Sequence, residues 1–400
     1  MKVNAYKLPL SLLAASVLTA PLAFAEQSSV ASGVKQALSD SKVKLHFRAR
    51  YEGVDQEGLD KDASALTLKS RITLNTGAFN GFSMGVEVDN ITALADDYNS
   101  TANGKAEYPV VADPEGTDVN QGFLKYSNGG LTAIAGRQRI NHDEQRFIGG
   151  VGWRQNEQTY DGYRFQFKAS DAVSFDYSYI NNINRIFGPS GAKSDLSGDF
   201  HFGNAAFKIN KDHKISAFAY LLDFETAAGL STDTYGFLYK GKLGPVNVKA
   251  SYASQGDTGD NANNFSTDYY NVEAGSKLGP ITLLAGVESL GSDNGVGFST
   301  PLATLHKWNG FADKFLSTPA NGLEDVYFTV KGKVGGVKLV ATYHDFSSDV
   351  GSIDYGSELD LVAAYKVNKN YNVLVKYASY SADAYATDTD KLILQLVANF

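Results

Sequence analysis

Along nearly the whole of this 400-residue chain, apolar and polar residues alternate in runs of about ten, each run closing on Gly, Asn, Asp or Pro. A period of two puts successive side chains on opposite faces of an extended strand, whereas a helix repeats every 3.6 residues. The first run interleaves Val43, Leu45, Phe47, Ala49 and Tyr51 with Lys44, His46, Arg48, Arg50 and Glu52. The next, near 65–76, sets Leu66, Leu68, Ile72 and Leu74 against Lys69, Arg71 and Asn75. Further strands are predicted near 82–92, 119–127, 131–140, 159–169, 173–183, 200–209, 214–224, 233–242, 246–254, 267–278, 281–290, 324–334, 337–346, 357–367, 372–381 and 390–400. The total is about 18, each close to the roughly 9–11 residues that a tilted strand needs to cross a bilayer.

The connections decide what kind of sheet these strands build. Every second one is tight: 77–81, 127–130, 170–172, 210–213, 243–245, 279–280, 335–336 and 368–371. Those between are longer and polar, notably 93–118, 141–158, 184–199, 254–266 and 291–323. A soluble sandwich has no reason to keep that alternation, whereas an outer-membrane barrel has short turns on its periplasmic rim and long loops outside. In lipid every backbone N–H and C=O must be paired internally, so a sheet spans only as a closed barrel whose outer face is apolar at alternate residues. A membrane chain of this kind stays polar on average, and here only 43% of residues are hydrophobic. The 23 Tyr and 23 Phe suit the headgroup zone near strand ends, as at Tyr51, Phe79, Phe82, Tyr126, Tyr163, Phe165, Phe175, Tyr177, Tyr179, Tyr377 and Tyr380.

The N-terminus sets the compartment. Lys2 and Lys7, the apolar stretch from Leu8 to Leu22 and Ala23-Phe24-Ala25 read as a secretory signal with its cleavage site. We expect a signal peptide at 1–25, a short periplasmic segment at 26–42 and an all-β, antiparallel transmembrane barrel at 43–400, in the outer membrane of a Gram-negative cell. The chain ends on an alternating strand closed by Phe400, which resembles the terminal aromatic signal read by the barrel-assembly machinery. Lipid and lipopolysaccharide are the surroundings that such a barrel implies. With no Cys, a disulfide framework, a thiolate metal site and a cysteine nucleophile are excluded. A net charge of −8 argues against a nucleic-acid partner, because neutralising phosphates takes a basic surplus.

The faces opposite the apolar ones are basic in the early strands. Arg48, Arg50, Lys69, Arg71, Arg137, Arg139, Arg164 and Lys168 outnumber the nearby inward acids Glu52, Glu87 and Asp89. A low-dielectric wall around a wet channel focuses such a field, and a ring of Arg and Lys selects anions. Arg137 and Arg139 share the parity of Leu131, Ala133 and Ala135, so a bulge near Gly136 is needed to turn them inward. Arg146 and Arg154 belong to the loop 141–158, which also carries Trp153, and its Arg, Gln, Asn and Trp suit stacking on sugars or bonding to them. The other Trp, Trp308, lies in 302–316, a segment too apolar for a freely solvated loop and suited to a short helix.

At these residues the chain resembles the bacterial alginate export family of outer-membrane barrels. The matching pieces are Leu68-Lys-Ser-Arg-Ile-Thr-Leu74, Gly136-Arg-Gln-Arg-Ile140, Arg146-Phe-Ile-Gly149, Trp153-Arg-Gln-Asn156 leading into Thr159-Tyr-Asp-Gly162, His306-Lys-Trp-Asn-Gly-Phe-Ala-Asp-Lys-Phe315 and Thr318-Pro-Ala-Asn-Gly-Leu-Glu-Asp325. The resemblance implies an 18-stranded pore with an arginine-lined, electropositive constriction for an anionic polysaccharide. On position, Arg48, Arg71, Arg137, Arg139, Arg154 and Arg164 are its candidates. The function expected is passive diffusion of anionic or polar solutes, uronate oligo- and polysaccharides among them, with no cofactor and no enzymatic activity.

Two rivals have a footing in the sequence. Gly81-Phe-Ser-Met-Gly85 matches the hydrolase pattern G-x-S-x-G, but that motif needs a strand-to-helix turn, and Ser83 is predicted to begin a strand. The six His show no metal-ligand spacing. The other rival is a carbohydrate receptor or adhesin whose long loops do the binding. The acidic runs at 96–97, 257–260 and 383–390 fit no EF-hand loop and read as solvated.

Overall fold

A computed structural model describes residues 24–400, with side chains from residue 30 onward. The signal peptide expected at 1–25 therefore lies, apart from its last two residues, outside the described residues. Eighteen strands form one sheet: β1 Lys42–Gln56, β2 Ala63–Asn75, β3 Phe82–Asp97, β4 Gly116–Asn128, β5 Leu131–Gln138, β6 Thr159–Lys168, β7 Val173–Asn184, β8 Asp195–Lys208, β9 Lys214–Phe224, β10 Thr232–Leu243, β11 Val246–Asp257, β12 Ser266–Leu278, β13 Ile281–Leu290, β14 Leu323–Val334, β15 Val337–Ser347, β16 Asp354–Lys366, β17 Tyr371–Ala382 and β18 Thr389–Asn399. Each pairs antiparallel with its neighbours, and β1 bonds both β2 and β18, so the sheet closes on itself. Closure leaves no free edge, which is the condition for a sheet in lipid.

Several strands run farther at their long-loop ends than the alternation predicted. β1 continues to Gln56, β3 to Asp97, and β8 starts at Asp195 instead of near 200. Beyond the bilayer both faces of a strand meet water, so the apolar signal fades while the ladder hydrogen bonds continue. The chain end completes the seam: Phe400 N–H donates to Leu45 O and Leu45 N–H to Phe400 O, both at 2.9 Å. Ahead of β1, within the short segment expected at 26–42, stands a helix α1 (Phe24–Ser39). Its Ala37 carbonyl accepts a 2.8 Å bond from Gly77 N–H in the first tight turn. No helix among the described residues is long and apolar enough to cross a membrane.

Burial is inverted relative to a soluble protein. Outward residues such as Leu74, Phe82, Met84, Phe165, Phe175, Phe237, Leu361 and Leu394 are exposed, while Arg50, Glu52, Lys69 and Asp89 are buried inside. An apolar outside and a charged inside is the pattern that hydrocarbon solvent selects.

The lumen is filled, and unevenly. On one side inward aromatics pack around the long loops: Tyr160, Phe202, Tyr220, Tyr269 and Phe346 with Phe298, Leu302 and Phe315. In β8 Phe200 and Phe202 point inward and His201 outward, the reverse of the usual alternation. Tyr380, predicted for the headgroup zone, lies inside at 1% exposure, donating a hydrogen bond to Tyr385 O. Its parity on β17 is that of Lys376 and Ala378, the lumen face. Aromatic residues therefore serve the inserted loops as well as the lipid belt.

Candidate functional site

Two loops fold into the barrel and meet there. The first, residues 139–158, leaves β5 after Gln138; the second, 298–316, follows the short hairpin at 292–297. Leu302 O accepts from Gly149 N–H (2.9 Å) and Gln158 Nε2 (3.0 Å), and Thr304 N–H donates to Gln145 O (3.0 Å). Trp153 stacks on His306, with ring centroids 4.3 Å apart and planes 6° from parallel. Of the short helix expected in 302–316, one 3-10 turn forms, Leu305–Lys307.

The second loop is bonded to the barrel wall at β16. Phe311 N–H donates to Asp360 Oδ2 (3.1 Å) and Ala312 N–H to Glu358 Oε1 (2.7 Å), both on β16. Gly310 makes this approach possible, since it sits at φ +85° and a Cβ there would lie 2.3 Å from Glu358 Oε2. His306 Nδ1 lies 2.7 Å from Asp313 Oδ1, and its Nε2 lies 3.1 Å from Lys376 Nζ. With Lys376 as an ammonium, which has only protons to offer, Nε2 accepts and Nδ1–H donates, the pattern of a neutral imidazole. Burial and Lys376 hold the His306 pKa well below its ordinary value against the opposing pull of Asp313. Asp313 is itself kept well below the usual carboxylate range, because His306, Lys391 and Arg154 outweigh the upward push of burial.

Six of the ten cations named from sequence converge on the β1–β2 wall beneath the first loop. Arg48 donates Nε to Gln155 Oε1 (2.8 Å), Nη1 to Gly152 O (2.9 Å) and Nη2 to Arg154 O. Arg50 meets Asp113 at 3.5 Å, donates to Trp153 O (2.5 Å), and lies over the Trp153 ring at 4.2 Å. Lys69 bridges Asp89 (3.1 Å) and Glu157 (3.4 Å); Arg71 grips Asp89 (2.6 Å), Glu157 (3.0 Å) and Glu87 (3.3 Å). Arg139 pairs with Glu87 (2.8 Å) and Glu157. Arg154 faces Glu52 (3.0 Å), Asp313 (3.2 Å) and Asp113 (3.7 Å), and Lys391 reaches Asp313 at 2.6 Å. Seven cations thus share six carboxylates, so the basic surplus at this level is a single charge.

The remaining four stand elsewhere, Lys168 being exposed at the end of β6 beside Asp171 at 2.6 Å. Arg146 is buried across the lumen, bonded to Glu288 (2.9 Å), Thr300 (3.1 Å) and Asn309 (3.3 Å). Arg164 faces inward on β6 and pairs with Asp176 at 2.6 Å. Arg137 is not in the lumen. Gly136 has φ +117°, but the β4–β5 register runs through Gly122↔Arg137 without a shift, so Arg137 keeps the outward face of Ala133 and Ala135. There it pairs with its cross-strand partner Asp161 at 2.9 Å.

Below Arg139, on the tight-turn side, a recess of about 400 Å³ opens between β2 and β5. Lys125, Arg139, Gln121, Gln138 and Asn75 line it with Phe123 and Ile134, and no carboxylate is among its lining residues. The sequence reading of the charged wall lacked Asp113, Asp313 and His306, which stand in irregular loops where no periodicity marks a face. Lys376 and Lys391 were within reach, since the parity of β17 and β18 turns both inward. Ser83 lies in β3 on the recess wall, with no strand-to-helix turn around it.

A family model described as "Alginate export" matches residues 38–234. None of the curated proteins matches the chain. Among solved structures, OccK3 (OpdO) of Pseudomonas aeruginosa superposes with a TM-score of 0.70 at 14% identity, covering 92% of this chain and 98% of that one. OpdK of the same organism gives 0.70 at 15% identity over 91% and 99%, and it is also known in a structure with vanillate. OccAB2 of Acinetobacter baumannii gives 0.69 at 16% identity over 91% and 99%. At these identities the likeness is one of fold, an 18-stranded barrel of porin type. Taken with the closed sheet and the lipid-facing belt, it makes the chain an outer-membrane β-barrel whose residues 38–234 match the alginate export family.

Proposed function

We propose that this barrel is a passive channel for anionic and polar solutes, uronate oligo- and polysaccharides among them, closed and opened by movement of its two inserted loops. The observation that carries the reading is the recess beneath Arg139, which is lined by Lys125 and by Arg139, itself paired with Glu87 and Glu157, and has no carboxylate among its lining residues. A low-dielectric wall concentrates that field along the lumen and raises the local concentration of anions. The ion pairs that fasten the loops use carboxylates, the same group an anionic solute brings, so solute and loop compete for one set of cations. The structure of OpdK with vanillate, a small aromatic carboxylate, is consistent with such chemistry in a barrel of this fold. In this reading residues 1–25 are removed on export, 26–42 stay periplasmic, and Phe400 serves assembly of the barrel at 43–400.

Reversal potentials in planar bilayers under a KCl gradient test the proposal. We expect anion preference, reduced by Arg139→Gln with Lys125→Gln. Cation preference in the parent protein would overturn it. So would insertion without conductance even after deletion of 302–316, and that outcome would favour a carbohydrate receptor.

A further inference from the structure

The tip of the first loop reaches a second, separate group of cations on the far wall. Glu144 Oε1 lies 2.8 Å from Lys240 Nζ on β10, and its Oε2 lies 3.3 Å from Lys249 Nζ on β11. Lys307 of the other loop donates to the Glu144 backbone carbonyl at 2.9 Å. The Trp308 indole faces the same point, with Lys307 and Arg146 each 5.2 Å and Lys249 5.5 Å from its ring. Its Nε1–H is buried and has no hydrogen-bond acceptor. Glu144, Lys249, Trp308, Phe147 and Tyr269 all line a small void of about 20 Å³.

Three lysines here serve two carboxylates, because Lys249 also meets Glu273 at 3.2 Å. The adjacent Asp143 is bound by neutral partners, Asn204 at 2.9 Å and Ser216 at 3.2 Å. Burial and the two neighbouring lysines lower the pKa of Lys307, with Glu144 opposing, and Lys249 and Lys240 lower that of Glu144 against the effect of burial. Lys240 stands three residues before the end of its strand at Leu243, and its side chain is 43% exposed, so water reaches the cluster from the periplasmic rim.

We propose that Lys240, Lys249 and Lys307, with the Trp308 ring, form a binding site for the carboxylate of a ring-bearing solute, and that Glu144 occupies it as an internal stand-in. A solute carboxylate that takes the place of Glu144 forms the same charge-assisted bonds, lays its ring on the indole and offers an acceptor to Nε1–H. Displacing Glu144 also frees the tip of the first loop from β10 and β11, which couples occupancy to opening. The coupling rests on the channel proposal; the binding does not.

The test is a titration of Trp emission in the full-length folded protein in detergent, with Trp308→Phe assigning the signal and a heat-modifiability gel checking each variant. Sodium glucuronate and sodium benzoate are the probes, and glucose is the neutral control. We expect saturable change with a carboxylate and none with glucose. Glu144→Gln lowers the half-saturating concentration by about tenfold, the loss of one charged competitor, and Lys249→Gln or Lys240→Gln raises it by about as much. Glucuronate binding alone assigns the site to sugar acids and benzoate binding alone to aromatic acids. Unchanged half-saturation in Glu144→Gln, an equal response to glucose, or no response to either acid overturns the site. Conductance of the parent protein is measured separately, so a conducting protein with a flat titration refutes the site while leaving the channel, and the converse result refutes the channel alone.

Discussion

Arg154→Ala should convert a mostly closed barrel into a leaky one. The Arg154 side chain is 8% exposed and stands between Glu52 at 3.0 Å, Asp313 at 3.2 Å and Asp113 at 3.7 Å. Glu52 belongs to the barrel wall, Asp313 to the second loop and Asp113 to the loop after β3, so one guanidinium ties three segments together. Removing a buried cation from its carboxylates costs about 3–5 kcal/mol, because the partners are left desolvated and uncompensated. That cost falls on the closed arrangement, since carboxylates exposed by a displaced loop regain water. Lys391, 2.6 Å from Asp313 and 3.8 Å from Glu52, offsets part of it, which favours the lower end of the range. At about 1.4 kcal/mol per decade, the open population should rise by roughly a hundredfold. Single-channel recording reads this as open probability at fixed voltage, and a liposome-swelling assay reads it as uptake rate. The strand ladders are untouched, so the heat-modifiable gel shift should persist. A variant that folds and shows unaltered open probability would refute the view that this ion-pair node holds the loops in place.

Arg139→Gln should weaken anion preference, whereas Arg137→Gln, on the outer face beside Asp161, should leave reversal potentials unchanged; equal effects would contradict the assignment of their faces. His306 is neutral when enclosed and returns to about 6.5 when its loop opens, so the open form binds more protons below that value. Closure is therefore complete above about pH 6.5 and weakens as pH falls through it, and open probability should rise between pH 7 and 5. His306→Gln should flatten that profile, and a parent profile already flat would refute the role. Deleting Phe400 removes two hydrogen bonds to Leu45 and an edge contact with Tyr371, so a smaller folded fraction in outer membranes is expected on heat-modifiability gels.

The barrel was legible because lipid imposes a rule that acts residue by residue. Val43 to Glu52 show both faces of β1 directly, and the tight turns at 77–81 and 279–280 mark the rim without reference to any distant contact. The candidate site was legible where it stood on strands. Arg48, Arg50, Lys69 and Arg71 point inward by parity alone, and so does Glu87. Arg137 was misplaced because turning it inward takes a bulge at Gly136, and the unshifted β4–β5 register shows that none forms there. The occupants of the lumen were hidden, since an irregular loop has no period and its destination depends on what it meets.

By itself, then, the sequence determined the class of fold, the number and order of strands, the outward belt and the basic inner face of β1 and β2. Each of these follows from local alternation under a solvent that forbids unpaired backbone. Only the tertiary structure decided the state of the lumen. Asp113 and Asp313, far apart in the chain, arrive beside Arg50 and Arg154 and reduce an apparent arginine surplus to one charge. Charge balance, closure and access are sums over side chains brought together from many strands and loops, and no single segment of sequence carries such a sum.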